Sequence, residues 1–222
     1  MGESTTPGLL AFDDEFAWRT FDGRMVESDF DKSKRFMPGG ALDDVIKIDF
    51  ILAAMDVRQS NEQINSLVEY VLKNAKKLFS ISAYVGLVQE DLQIAMELFK
   101  DAAFDDSKLP IGRTQSSSPA PNASVPNPTF TADAAHRILS MLHQPNKTRV
   151  WRQMKTAREF FDKQWMFLAP VFSTDKPARD VSALSILPFT KKQPKPNKGS
   201  FGQVFKCQIH TDHIRDPLHP VR

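Results

Sequence analysis

Cysteine is almost absent from this sequence, because Cys207 is the only one among 222 residues. A single cysteine excludes a disulfide framework within the chain and a zinc site built from four cysteines. The nearest alternative is a looser cluster near the C-terminal end, made of Cys207, His210, His213 and His219. Residues three apart on a strand do not share a face. We therefore predict that the chain has no metal site.

The sequence also lacks long apolar runs and an excess of charge of one sign. No run approaches the roughly 18 apolar residues that a membrane-spanning helix needs, and the polar, acidic N-terminus has no hydrophobic signal segment. The formal net charge is only +2, whereas a general polyanion binder is far more basic. These absences predict a soluble intracellular protein, in the cytoplasm or the nucleus, that spans no membrane and binds no nucleic acid.

The sequence does have enough apolar residues for a packed core, since 41% of its residues are hydrophobic. Residues 61–79 place them at the i, i+3, i+4, i+7 spacing of a helix with one buried face. Ser60 followed by Gln63 predicts a capping box at the start of this helix. Three further helices are predicted on similar grounds, over residues 89–100, 132–143 and 148–165. The predicted fold class is therefore mainly α.

Changes in composition divide the chain into five predicted parts. Residues 1–40 carry many charges and scattered aromatics without a period, which predicts an irregular arm. Serine, proline and asparagine dominate from Thr114 to Thr131, and such a segment buries too little to offset its ordering entropy. We expect a disordered linker there. The arm occupies residues 1–40 and is followed by a helical region at 41–112. The linker at 113–131 separates it from a continued helical region at 132–172, and a β-containing region occupies 173–222.

One stretch of the sequence carries a chemical mechanism. It runs Gly-Ser-Phe-Gly-Gln-Val from Gly199 to Val204, and apolar residues alternate from Phe201 to Ile209, which predicts a glycine turn followed by a strand. The pattern resembles the second half of the glycine-rich loop of protein kinases, whose backbone closely approaches the phosphates of ATP. This resemblance implies that the nucleotide-binding residues are Gly199, Ser200, Phe201, Gly202 and Val204. The alternative is a plain glycine turn between two strands.

The sequence departs from the kinase pattern just before this loop. Asn197 stands where the first glycine of the pattern would lie, although asparagine tolerates unusual backbone angles better than most residues. Pro194 and Pro196 fall where the first strand would run, and proline weakens strands.

Several other segments resemble those of fungal proteins in which a helical N-terminal region is joined to a protein kinase domain. In the helical region they are Ala-Lys-Lys-Leu-Phe at 75–79, Phe-Asp-Asp-Ser-Lys-Leu-Pro at 104–110 and Phe-Phe-Asp-Lys-Gln-Trp-Met-Phe-Leu-Ala-Pro-Val-Phe at 160–172. Closer to the C-terminal end they are Ile-Leu-Pro-Phe at 186–189 and Ile-His-Thr-Asp-His at 209–213. The resemblance implies a helical region followed by a β-hairpin like the start of a kinase N-lobe, and that lobe is incomplete.

The resemblance implies ATP as a ligand, with magnesium only if the kinase domain were complete. Lys206 lies two residues after Val204, too early to be the third-strand lysine that holds the α- and β-phosphates. The sequence also contains no His-Arg-Asp loop and no Asp-Phe-Gly site. We therefore expect a truncated, kinase-like or pseudokinase fragment that catalyses no phosphotransfer. The alternative is a helical protein–protein interaction module without nucleotide binding.

Overall fold

The computed structural model describes six parts of the chain, residues 14–57, 61–111, 154–175, 180–193, 197–199 and 202–215. These residues form a mainly α-helical body with short two-stranded β-ladders, which confirms the predicted class at the level of mainly α. The predicted linker, the predicted helix over 132–143 and two of the predicted site residues, Ser200 and Phe201, lie outside the described residues.

The helical body is built around one helix that is buried over most of its length. The helices are α1 (Asp14–Asp22), α2 (Ala41–Val45), α3 (Ile48–Ala54), α4 (Glu62–Asn74), α5 (Lys76–Tyr84), α6 (Gln89–Asp101) and α7 (Met154–Phe167). In α5, every residue from Leu78 to Tyr84 is buried, as expected for a helix surrounded by others. Helices α1, α2, α4, α6 and α7 all contact it. None of the described helices is both long and apolar enough to cross a membrane.

The first described residues differ from the irregular arm that the sequence predicts. Helix α1 packs on α5 and buries Ala17 and Phe21, which are four residues apart and so share a helix face. After it, β1 (Val26–Glu27) pairs antiparallel with β2 (Arg35–Phe36). The sequence does not reveal α1 because a helix of nine residues offers too few apolar positions to show a period.

The helix predicted over residues 61–79 is two helices that meet at Ala75. The predicted capping box is also wrong, because the side chain of Asn61 caps α4 by accepting a hydrogen bond from the Ile64 amide at 2.9 Å. Helix α5 is capped from a distant part of the chain. Both carboxylate oxygens of Asp106 accept backbone hydrogen bonds at its first turn, from Lys77 at 2.9 Å and Leu78 at 3.0 Å.

Replacing Asp106 by asparagine is expected to lower the free energy of unfolding by about 1–2 kcal/mol. The amide group would turn a donor toward one of the two backbone N–H groups, so one hydrogen bond is lost. Urea unfolding followed by circular dichroism measures the change. Asp105→Asn is the matched control, because the Asp105 carboxylate accepts from the exposed Ser107 amide within its own turn and not from α5. Equal losses in the two variants would contradict the proposed cap.

The C-terminal part of the chain forms three further ladders. Strand β3 (Phe172–Ser173) runs parallel to β8 (Ile214–Arg215). Strand β4 (Phe189–Lys192) pairs antiparallel with β7 (Cys207–Ile209), and β5 (Asn197–Gly199) pairs antiparallel with β6 (Gly202–Val204). The single strand predicted from 201 to 209 is therefore two strands, β6 and β7, with different partners.

The two antiparallel ladders follow each other in one hairpin. Between them, the Gln193 amide donates to the Lys206 carbonyl at 2.8 Å, which continues the pairing. Four residues separate β4 from β5, whereas two separate β6 from β7, so the two sides of the hairpin differ in length. The longer side contains Pro194 and Pro196, which have no amide hydrogen to donate to a ladder.

Candidate functional site: the glycine-rich hairpin

The predicted glycine-rich loop lies at the tip of this hairpin. Gly199 pairs with Gly202, and Asn197 pairs with Val204. Two residues remain between Gly199 and Gly202, which is the length of the shortest common hairpin connection. Of the five predicted site residues, the structure therefore brings Gly199, Gly202 and Val204 together.

The two faces of the hairpin differ in exposure. Val204, Lys206 and Gln208 are exposed, while the alternating residues Phe205, Cys207 and Ile209 are partly buried. This is the period of two that a strand shows when one of its faces packs on the protein. The side chain of Val204 is 65% exposed, so an apolar residue stands open to solvent beside the glycine tip.

The base of the hairpin is attached to the helical body through His213. The side chain is 2% exposed, and its Nε2 accepts a hydrogen bond from the Gly39 amide at 3.1 Å. Because Nε2 is an acceptor, the proton of the neutral ring is on Nδ1, which lies 3.1 Å from the Pro170 carbonyl and donates to it. The ring of Phe36 packs edge-on against the imidazole at 5.2 Å. One side chain thus joins the turn after β2, the end of α7 and the hairpin.

Burial lowers the pKa of His213, although the carbonyls of Pro170 and Met37 oppose this shift. Its titratable neighbours are His210, which lowers the pKa of His213, and Asp212, which raises it. A proton on Nε2 would break the hydrogen bond from the Gly39 amide, and the Met37 carbonyl at 3.3 Å would be left to accept from that nitrogen. The folded state therefore favours the neutral ring.

We expect the stability from His213 to be fully present above about pH 6.5, the usual pKa of histidine. It should decrease as the pH falls from there through the lowered folded pKa, because the unfolded chain binds the proton first. The measurement is the urea midpoint between pH 8 and pH 5. His213→Gln should remove this component, while His210→Gln should keep it. An unchanged pH dependence in His213→Gln would contradict the assignment.

A second attachment joins α7 to the segment that follows α6. Gln164 is 1% exposed. Its Oε1 accepts from the Ile111 amide at 2.8 Å, and its Nε2 donates to the carbonyls of Ile111 at 3.0 Å and Phe161 at 3.1 Å. The side-chain amide of Gln164 thus pairs with both the backbone amide and the carbonyl of Ile111, as a neighbouring β-strand would.

The segments that resemble fungal kinase proteins are in contact with one another. Asp106 joins 104–110 to 75–79 through the α5 cap. The rings of Phe172 and Phe189 stack with centroids 6.5 Å apart, which joins 160–172 to 186–189. His213 joins 209–213 to Pro170. The Phe172–Phe189 and His213 contacts hold the hairpin on the end of α7, whereas the Asp106 cap lies within the helical body.

Sequence reasoning missed the N-terminal side of this attachment. The hydroxyl of Ser28 donates to the Leu187 carbonyl at 2.8 Å, and the Asp29 amide donates to the Phe189 carbonyl at 2.7 Å. Gly39 approaches residue 212 so closely that a Cβ would lie 2.4 Å from the Asp212 carbonyl oxygen. Only the turn signal around Gly39 was visible in the sequence.

The alternative metal cluster finds no support in the described residues. They contain no group of three histidine, cysteine or acidic side chains placed to hold a metal ion. Both ring nitrogens of His213 face backbone groups, and His219 lies outside the described residues.

Comparison with known proteins gives no match, since no family model, no curated protein and no solved structure is similar to this chain. The resemblance to kinase proteins stays a prediction from the residues quoted above.

Proposed function

We propose that the helical body carries and orients a glycine-rich hairpin of the kind that covers the phosphates of ATP. The observation that carries this proposal is the hairpin tip, where Gly199 pairs with Gly202 and Val204 is left 65% exposed. Neither Gly199 nor Gly202 carries a side chain, so phosphate oxygens can approach the backbone amides at these two positions. The exposed valine supplies an apolar surface for an adenine ring.

The same proposal gives the chain no catalytic role. A phosphotransferase needs a lysine for the α- and β-phosphates, a catalytic aspartate and a metal-binding aspartate. The sequence carries none of these in a recognisable motif. ATP binding, where it occurs, is therefore a weak, non-catalytic binding, and the helical body serves as the regulatory or structural part.

A binding experiment with matched valine variants tests this proposal. Saturable binding of a fluorescent ATP analogue by the whole chain is expected, together with a rise in melting temperature with added ATP. Val204→Glu should abolish both, because it replaces the apolar surface proposed for the adenine ring with a charged carboxylate. Val181→Glu is the control, since Val181 is a similarly exposed valine, at 41%, outside the hairpin strands. Equal binding by the two variants would contradict the proposed site.

The second candidate function is a protein-docking surface without nucleotide binding. Large apolar side chains on the C-terminal part of the chain are exposed, namely Val181, Leu184, Val204 and Ile214, with Leu184 at 61%. Exposed apolar groups of this kind mark interaction surfaces when they form a patch. No saturable binding at millimolar ATP by the wild-type chain would reject the nucleotide site and favour this second function.

A further inference from the structure

The outer half of the hairpin has few contacts of its own with the helices. His213 and the β3–β8 ladder attach the end of the hairpin that is remote from the glycine tip. Strands β5 and β6 pair with each other, and among the described residues neither strand packs extensively on a helix. Some other group must therefore fix the direction in which the tip points.

Residues 28–30 lie along β4, the strand that leads to the tip. At Phe189, the first residue of β4, the Asp29 amide donates to the carbonyl at 2.7 Å. At Lys192, the last residue, the Asp29 carboxylate accepts from the backbone amide at 2.6 Å. The ring of Phe30 packs edge-on against Phe189 at 5.9 Å. One short segment thus holds both ends of β4.

The side chain of Lys192 extends this contact across the hairpin. Its ammonium lies 4.8 Å from the centroid of the Phe30 ring and 4.1 Å from that of Phe205, between β6 and β7. Both distances are within the range of cation–π attraction. The lysine therefore bridges an aromatic ring of the body to an aromatic ring on the returning side of the hairpin, directly after Val204.

We propose that Asp29, Phe30 and Lys192 form a positioning unit that fixes the outer half of the hairpin, and with it the Val204 face, relative to the helical body. The nucleotide part of this inference rests on the proposed function. Lys192 is a positioning residue and not a phosphate ligand, because its ammonium is held between two rings. The unit joins residues 29 and 30 to the outer half of the hairpin, so a substitution at Asp29 should loosen the strand that carries Val204.

The test uses neighbouring lysines as a matched pair. Lys192→Met keeps an unbranched side chain of similar length and removes the charge. Lys191→Met is the control, because it makes the same change at the preceding residue of β4. Lys191 is exposed, and its side chain lies on the opposite face of the strand. Hydrogen exchange of the β5 and β6 amides should be about two- to tenfold faster in Lys192→Met, because the loss of a cation–π attraction at a partly exposed site changes an equilibrium by about that factor. The amides of β8 and α5 should be unchanged.

The aspartates provide a second pair. Asp29→Asn should speed exchange at β5 and β6 in the same way, because the carboxylate that holds the Lys192 amide loses its charge. Asp31→Asn is the control, since the Asp31 carboxylate accepts from the amide and hydroxyl of Ser33 within its own turn. Faster exchange throughout the protein would show a general loss of stability and overturn the proposal. Unchanged exchange in Lys192→Met would overturn it as well.

Nucleotide affinity separates this inference from the function on which it partly rests. If the wild-type chain binds the ATP analogue, Lys192→Met should weaken the affinity by a factor similar to the change in exchange, with no change for Lys191→Met. If the wild-type chain binds no nucleotide, the proposed function fails, and selective loosening of β5 and β6 still supports the positioning unit. Loosening without any change in a measurable affinity would overturn the link to the Val204 face.

Discussion

Replacing Gln164 by leucine is expected to lower the free energy of unfolding by about 2–6 kcal/mol, since two buried backbone groups lose their partners at about 1–3 kcal/mol each. Leucine fills a similar volume, but it can neither accept from the Ile111 amide nor donate to the Ile111 carbonyl. The side chain is 1% exposed, so water cannot take over these hydrogen bonds without opening the contact between α7 and Ile111. Urea unfolding of the whole chain measures the loss.

Gln93→Leu is the matched control for this substitution. The Gln93 amide donates to the Glu97 carboxylate at 2.9 Å on the same partly exposed helix face, and such a pair contributes only about 0.2–0.5 kcal/mol. If Gln164→Leu were no more costly than Gln93→Leu, the backbone contacts of Gln164 would not be what joins α7 to Ile111.

Gln164→Glu is a second, independent test of the contact between Gln164 and Ile111. An ionised glutamate can accept from the Ile111 amide, but it cannot donate to the Ile111 carbonyl, whereas a protonated glutamate can do both. Burial raises the pKa of such a carboxyl, so the stability that the protonated form provides is present in acid and is lost as the pH rises through the raised folded pKa. The difference in unfolding midpoint from wild type should therefore be smaller at pH 4.5 than at pH 7.5. A constant difference would contradict the bidentate contact.

Replacing Gly39 by alanine is expected to release the C-terminal hairpin from the helical body. A Cβ at this position would lie 2.4 Å from the carbonyl oxygen of Asp212, so one of the two backbones must move, at a cost of about 1–3 kcal/mol. The movement also separates the Gly39 amide from His213, which removes a hydrogen bond from the same contact. Hydrogen exchange should become faster in β7 and β8.

The effect should remain local, because the main apolar core lies among the helices and only a small second cluster lies under the hairpin. That second cluster consists of Phe36, Ala169 and Ile186. Amides of α5 should therefore keep their protection, as expected when one part of a protein opens before the rest. Loss of protection in α5 to the same extent would mean that the hairpin and the body unfold together.

Gly40→Ala is the control for the clash. Gly40 has a φ of 80°, which alanine adopts at a cost of about 1–2 kcal/mol, but an added Cβ would meet nothing within 4 Å. This variant should lower stability near α2 without releasing β7 and β8. Selective release of the hairpin in Gly40→Ala would assign the effect to backbone strain in the turn rather than to the contact with Asp212.

Local patterns in the sequence predicted the features that neighbouring residues control. The apolar stripes of α4 and α6 identify helices because each stripe forms within one segment. The glycine turn at Gly199 and Gly202 was also visible, because two glycines around two residues favour a hairpin whatever lies nearby. The alternation after the turn predicted the strands but not their division into β6 and β7. That division depends on the pairing with β4 and β5.

Local sequence patterns are enough to predict a mainly helical chain with a glycine hairpin around residue 200. How these parts are joined depends on long-range contacts, since Asp106 caps a helix 28 and 29 residues earlier in the chain and His213 contacts Gly39 across 174 residues. Such contacts follow from packing and not from local preference, and one sequence shows no sign of which distant polar groups will meet. The physical reason is that a buried backbone amide or carbonyl must find a partner wherever the fold brings one.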